Sequence, residues 1–319
     1  MAIVDGNGTD NFLIGSAFAD TLNGFGGNDR LRGGGPDILD GSVGIDIADY
    51  GGSSAAAFID LLNGTAEGGD GFDIADYSAS SVGVDVSLSE DTTTIRQSGA
   101  VAINAAEGGD AEGDILDNIE QVIGSAFSDN LDGDARANKL IGGGAGDTLD
   151  GFAGSDTLDG GLGGDILRGG EGNDLYIVTA TDSIIEAVSE GAADRAAATE
   201  SFTLGNDDNI EILSTTDTKS TSSISLTGNA LKQEILGNAG INVLRTGGGA
   251  ADVMKGLGGN DIYRVFNSGD VVVETAGNGF DLVLAAVDYK LGAGAEIEQL
   301  FTNGSTGTSS NRQPDKRKT

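Results

Sequence analysis

The chain has no cysteine, no histidine and no tryptophan, and only two prolines in 319 residues. Without cysteine there is no disulfide framework and no thiolate metal site. Without histidine there is no Ser-His or Cys-His dyad and no HExxH zinc site, and neither GxSxG nor GxxxxGK[ST] occurs. Aromatic residues are 5% of the chain while glycine numbers 55, a balance that does not suit an ordinary globular core. Cations are scarce as well: 17 Lys+Arg stand against 51 Asp+Glu, a formal net charge of −34. Such a chain is pushed away from nucleic acid and anionic membrane surfaces, and it repels itself unless small hard cations are bound. No segment approaches the roughly 18 consecutive apolar residues of a membrane span. Met1 to Asn11 carry neither the cationic stretch nor the apolar run of a signal peptide.

What is present is a period of nine. From Gly142 the chain reads GGGAGDTLD, GFAGSDTLD, GGLGGDILR and GGEGNDLYI, placing Asp147, Asp156, Asp165 and Asp174 at every sixth position and Leu149, Leu158, Leu167 and Tyr176 at every eighth. Two units upstream, GSAFSDNLD and GDARANKLI, extend this array to Gly124, with Asp129 in register and Asn138 where aspartate is expected. An N-terminal array reads DGNGTDNFL, GSAFADTLN, GFGGNDRLR, the shortened GGGPDILD and GSVGIDIAD, with Asp10, Asp20, Asp29, Asp37 and Asp46. A third, from Gly228 to Arg264, keeps aspartate only at Asp252 and Asp261, with Gln233 and Asn242 at the earlier sixth positions.

Longer repeats overlie the short ones. GSAFADTLNG recurs as GSAFSDNLDG, and both open an array; GIDIADY at Gly44–Tyr50 returns as GFDIADY at Gly71–Tyr77. NDLYIV and NDIYRV head two similar tails, continuing to SIIEAV and VVVETA. Between arrays, stretches such as SVGVDVSLS alternate apolar and polar residues and read as β-strands. The expected organisation is therefore a first array (1–50), an inter-array β segment with one repeat-like unit (51–123), the best-formed array (124–177), a capping β segment (178–227), a third, degenerate array (228–264), a second capping segment (265–303) and a disordered basic tail (304–319).

The nine-residue unit has a physical logic. Six turn residues need glycine for positive φ and for a backbone unshielded by Cβ, and the three strand residues turn only the eighth inward, so a thin leucine core follows. If two units complete a coil, turns 18 residues apart stack about 4.8 Å from one another. Asp147 then lies over Asp165 and Asp156 over Asp174, carboxylates that depend on a bridging cation; Ca²⁺ takes six to eight oxygens from such groups, whereas Mg²⁺ demands strict octahedral geometry. Gln233 and Asn242 bring no charge, so weaker or absent calcium is expected there. Glu186, Glu274 and the EGGD stretches at Glu67 and Glu107 read as exposed loop charge, and Tyr176 and Tyr263 as core or cap aromatics.

These units resemble the G-G-x-G-x-D-x-U-x nonapeptide of the repeats-in-toxin (RTX) family, over roughly half the chain. The resemblance implies an all-β parallel β-roll (a β-helix or solenoid) with capping β-strands. It also implies several Ca²⁺ ions held by sixth-position aspartates and turn carbonyls, and export by a type I system. GGLGGDILR and GGEGNDLYI match most fully and implicate Asp165, Asp174, Gly161, Gly163, Gly170 and Gly172 as ligands. Two departures stand out: GGGPDILD lacks one residue, so Asp20 over Asp37 and Asp29 over Asp46 are spaced 17 rather than 18, and the chain ends in the basic NRQPDKRKT. The expectation is a secreted, non-enzymatic, bacterial calcium-binding protein that folds as ions fill the roll. The rivals are a C-terminal module of a larger secreted enzyme or toxin, and an adhesin or surface-layer component with a glycan or cell partner.

Overall fold

A computed structural model describes residues 2–33, 38–40, 47–49, 74–78, 80–88, 119–188, 190–275, 277–302 and 309–310. Among them there is no helix; the regular structure is short strands, nearly all paired in parallel. Two compact units result, Met1–Asp174 with Thr181–Ser183, and Leu175–Ala180 with Ile184–Thr319. The fold class expected from the nonapeptides, a parallel β-roll, is the one found.

In the first unit the middle array sets the pattern. The strand Asn130–Asp132 pairs with Thr148–Asp150, which pairs with Ile166–Arg168, Leu131 opposite Leu149 and Leu149 opposite Leu167. On the other face Gln121–Ile123, Lys139–Gly144 and Thr157–Leu162 follow in the same way, bringing Val122, Leu140 and Leu158 into line. Partners are 18 residues apart, so two nonapeptides make one coil. All six inward residues are fully buried. At about 1.5–3 kcal/mol for each fully buried aliphatic side chain, this double ladder is the main apolar contribution to the array.

The shortened unit does not disturb this arithmetic. Thr21 stands opposite Ile38 and Arg30 opposite Ile47, 17 residues on, and Leu22 still faces Leu39. The strand register is kept across the 17-residue spacing. The Ile-Ala-Asp triplets of the two duplicated heptapeptides lie side by side: Ile47–Asp49 pairs directly with Ile74–Asp76, which pairs with Gln121–Ile123. Asp85–Ser87 likewise pairs with Asn130–Asp132 across 45 residues.

The second unit differs from expectation in one respect. The stretch 178–227, expected to cap, supplies ordinary coils: Arg195–Ala198 pairs with Ile212–Thr215, which pairs with Glu234–Leu236 of the third array. On the other face Phe202–Thr203 pairs with Ile224–Thr227, and that with Asn242–Arg245. Beyond the third array Val271–Val273 and Leu282–Ala285 continue the two faces, and Gln299–Thr302 is followed by an antiparallel strand, Ser309–Ser310. Alternation alone satisfies a parallel coil, because what the sheet requires is an inward apolar residue and a paired backbone, whatever the loop length.

Candidate metal centres

The sixth residue of each unit ends the turn just before its strand, and its side chain folds inward under the turn. In the middle array Asp129, Asp147, Asp156, Asp165 and Asp174 are all buried. They form two hydrogen-bonded columns. In one, the Val84 amide donates to Asp129 Oδ1 (2.7 Å), Asp129 to Asp147 Oδ1 (2.8 Å), Asp147 to Asp165 Oδ1 (2.8 Å) and Asp165 to Asp182 Oδ1 (3.1 Å). In the other, Asn138 donates to Asp156 Oδ1 and Asp156 to Asp174 Oδ1, both at 2.7 Å.

One oxygen of each carboxylate is thereby used, and the other decides the chemistry. Oδ2 of Asp147, Asp156 and Asp165 is buried with no hydrogen-bond partner in the protein. A buried carboxylate oxygen left this way is costly, and the cost rises when like charges stack above and below. Burial accordingly pushes Asp147 up to about 7, offset in part by the Asp129 amide and reinforced by the carboxylates of Asp129, Asp165 and Asp182. Asp156 is also raised to about 7, by burial first, against the Asn138 amide and with Asp174 and Asp134 adding to it. Asp165 moves in the same direction through burial and its neighbour Asp182.

Glycine makes room for this arrangement. A Cβ on Gly151 would stand 2.5 Å from Asp156 Oδ2 and 2.7 Å from the Gly169 carbonyl oxygen, and Gly142 and Gly160 are blocked in the same way by Asp147 and Asp165. Of the glycines implicated by resemblance, Gly161 and Gly163 face the carbonyl oxygens of Gly143 and Ala145 on the coil before, and Gly170 and Gly172 face those of Phe152 and Gly154. Gly163 and Gly172 have φ of +148° and +151°, backbone that side chains rarely adopt. The turns thus bring backbone carbonyls and carboxylates together, an all-oxygen donor set with unused lone pairs, which fits a hard cation such as Ca²⁺.

Two aspartates have serine hydroxyls as well as amides for partners. Asp20 accepts from the Ser16 hydroxyl (2.6 Å), the Ala2 amide (2.7 Å) and the Ser16 amide (2.8 Å), and these bonds hold it down at about 2. Asp129 is served by Ser125 through its amide (2.6 Å) and hydroxyl (2.9 Å). Both serines occupy the second position of a GSAF unit, at Gly15 and at Gly124.

Elsewhere in the first array the register needs correcting at one point. Leu13 pairs with Leu31, so the first unit begins at Gly6 and its sixth residue is Asn11. The Asn11 amide donates to Asp29 Oδ1 (2.7 Å), and its own Oδ1 accepts from the Asn7 amide (2.6 Å). Asp10 is exposed at the fifth position, where it accepts from the Asn28 amide. The DG at Asp5 mimicked a unit start and shifted the expected frame by one. Asp29 is buried in its column. Asp37, Asp46, Glu67, Glu107 and the basic NRQPDKRKT stretch lie outside the described residues, whereas Ser309–Ser310, within the segment expected to be a disordered tail, forms a strand.

In the third array the neutral positions are internally satisfied. Gln233 Nε2 donates to Asn229 Oδ1 (2.6 Å) and Asn242 Nδ2 to Asn238 Oδ1 (2.9 Å), each pairing the sixth residue with the second. Asp252 and Asp261 instead repeat the middle-array pattern: each accepts one amide, from Gln233 (2.8 Å) and Asn242 (2.7 Å), and leaves Oδ2 buried without a partner. Burial raises them to about 6 and about 7.

Several carboxylates escaped sequence reading. Asp182, Asp270 and Asp281 continue the columns past the arrays, accepting from the amides of Asp165, Asp252 (3.0 Å) and Asp261 (2.9 Å). Asp194 donates its amide to Glu211 and Asp281 donates to Glu298. The available signal was the half-motif D-x-U, with buried third residues: Asp194-x-Ala196 and Asp270-x-Val272 lack the motif's glycines, whereas Asp281-x-Val283 keeps two of them, Gly277 and Gly279. Glu186 and Glu274, expected as exposed loop charge, are both buried and accept hydrogen bonds from the Tyr176 and Tyr263 hydroxyls. Each tyrosine is a core residue whose polar tip needs a partner, and the glutamate follows it inward.

Four stretches, residues 5–35, 123–158, 150–177 and 227–263, match the RTX calcium-binding nonapeptide repeat. No curated protein matches the chain as a relative.

Proposed function

We propose that the chain is an RTX-type calcium-binding repeat protein in which Ca²⁺ ions fill the turns of the middle array and convert a self-repelling chain into a folded roll. Asp147, Asp156, Asp165 and Asp174, with the turn carbonyls around Gly161, Gly163, Gly170 and Gly172, would hold the ions; Asp29 and Asp252 would hold others. Bound calcium supplies charge neutralisation between stacked carboxylates. The observation that carries this reading is the row of buried Oδ2 atoms of Asp147, Asp156 and Asp165, one per coil side, with no partner in the protein. Asp20 and Asp129, satisfied by serine, would do without a metal.

The task served is folding outside the cell. A net charge of −34 keeps the calcium-free chain extended and fit to pass a type I export channel, and sites of the extracellular class, with Kd of about 10⁻⁴–10⁻³ M, would fill only after export. RTX repeat proteins are typically extracellular, in keeping with this order of events. The protein would act without catalysis, as a calcium-stabilised scaffold. Calorimetric titration of the calcium-free chain with Ca²⁺ tests the reading: several ions should bind with folding, and Asp156→Asn should remove one or two. Titration without heat, with an unchanged β spectrum, would overturn it.

A further inference from the structure

Charge is spread unevenly over the outer faces of the two units. In the second unit the strands Ile224–Thr227, Asn242–Arg245, Ile262–Val265, Leu282–Ala285 and Gln299–Thr302 lie side by side and contain no aspartate or glutamate, in a chain that has 51 acidic residues. The residue after each buried rung faces outward, and in the first four strands that column reads Thr227, Arg245, Arg264 and Leu284. Arg245 stands directly opposite Arg264 and both are exposed. Neither makes a salt bridge with any described residue. The Arg245 guanidinium is laid over the Phe266 ring, 4.8 Å from its centre, which holds the charge in place. Like charges directly opposite on neighbouring strands destabilise a sheet, and no carboxylate on this face offsets them.

The five-stranded sheet of the first unit carries the complementary arrangement. Its outward column reads Ser87, Asp132, Asp150 and Arg168, with Asp132 directly opposite Asp150. Both aspartates are half-buried and point away from the leucine ladder, so the turn columns make no use of them. Burial first, and then the neighbouring carboxylates of Asp150 and Asp85, raise Asp132 to about 6, with Arg168 offsetting part of the effect.

We propose that the Arg245–Arg264 ladder of one copy docks on the Asp132–Asp150 ladder of a second copy, joining folded chains head to tail. Both ladders stand on parallel, in-register strands with the same separation, about 4.8 Å, so both charge pairs are met at once. Laid centre on centre, either way round, Arg168 falls on Thr227 or Leu284 and meets no cation. Each ladder thereby removes a repulsion that the other carries in the isolated chain. The half-buried Val243, Ile262 and Leu282 beside the arginines supply apolar area, while the charges select which faces meet. Because the two faces differ, every contact leaves one of each kind free, and copies add in series. Self-association of this kind belongs to the folded form, since the calcium-free chain repels its own copies.

Sedimentation velocity of the full chain in calcium, at low and at high ionic strength, tests the contact. At low salt the wild-type mass should rise above the 31.9 kDa of one chain as protein concentration increases, and it should fall back at high salt. The double variants Arg245→Gln with Arg264→Gln, and Asp132→Asn with Asp150→Asn, should each stay monomeric. Mixed together they should form pairs and nothing longer, because each keeps one intact face. A mixture that stays monomeric, or an arginine variant that associates like the wild type, overturns the proposal. If the aspartate variant does not fold, the arginine variant decides against the wild type alone. A folded wild-type chain that stays at 31.9 kDa overturns this proposal and leaves the calcium reading intact; arginines that then bind polyglutamate would assign the face to an acidic partner instead.

Discussion

Removing calcium should unfold the chain near neutral pH and spare it in acid. Five buried carboxylate oxygens, Oδ2 of Asp147, Asp156, Asp165, Asp252 and Asp261, have no partner in the protein. A buried acceptor left unsatisfied costs about 1–3 kcal/mol, so five together cost about 5–15 kcal/mol, as much as the whole stability of an ordinary folded domain. Protons can stand in for the ion. Asp147 and Asp156 are raised from 3.8 to about 7 by burial, so the folded calcium-free chain binds protons that the unfolded chain releases. The stability this contributes is complete below about pH 4 and is lost as pH rises through about 7. Relief of self-repulsion acts in the same direction, since the isoelectric point is near 4.1. Far-ultraviolet circular dichroism melts in calcium-free buffer at about pH 7.5 and about pH 5 provide the assay. The β signal should be absent or melt low at the higher pH and return at the lower one, while added calcium should rescue the higher pH. An identical melt with and without calcium at about pH 7.5, or a calcium-free chain less stable in acid, would refute the reasoning.

Other substitutions probe individual links. Gly151→Ala places a Cβ 2.5 Å from Asp156 Oδ2 and 2.7 Å from a backbone oxygen, and should lower stability by about 2 kcal/mol or more and weaken one calcium site, read by melts at saturating calcium and by titration. Leu158→Ala empties one rung of a fully buried ladder and should cost about 2–5 kcal/mol in denaturant unfolding with calcium present. Ala145 sits at φ +71° in a turn position that glycine holds in the next coil, so Ala145→Gly should raise stability by up to about 1 kcal/mol; a loss would show that the turn is not strained there.

The parts of the molecule most legible from sequence are those where backbone geometry and chemistry repeat together. Leu149, Leu158 and Leu167 announce the inner face, Gly142, Gly151 and Gly160 the space under each turn, and Asp147, Asp156 and Asp165 the columns, because all three are needed in one register. The frame was lost at Asp10, where an extra Asp-Gly imitated a unit start and only the Leu13–Leu31 pairing reveals Asn11 as the column residue. It was lost again in 178–227, where coils persist with only Gly191 and Gly205, neither in a left-handed conformation. Glu274 carries no local motif, while Asp281 closes the turn of a near-complete unit, AGNGFDLVL, that stands 20 rather than 18 residues after Asp261 and so falls out of the period.

The direct pairing of Ile47–Asp49 with its own duplicate, Ile74–Asp76, carries a consequence for how such a chain changes over generations. A copied segment that enters a helical stack as complete windings finds its neighbours already shaped to receive it, because each winding offers the next the edge it was itself laid upon. Gains and losses of sequence are then filtered by whether they leave that edge intact, and a residue missing between Arg32 and Ile38 passes the filter as readily as an added winding. Length in this protein is a heritable variable that can drift without a new core having to be invented.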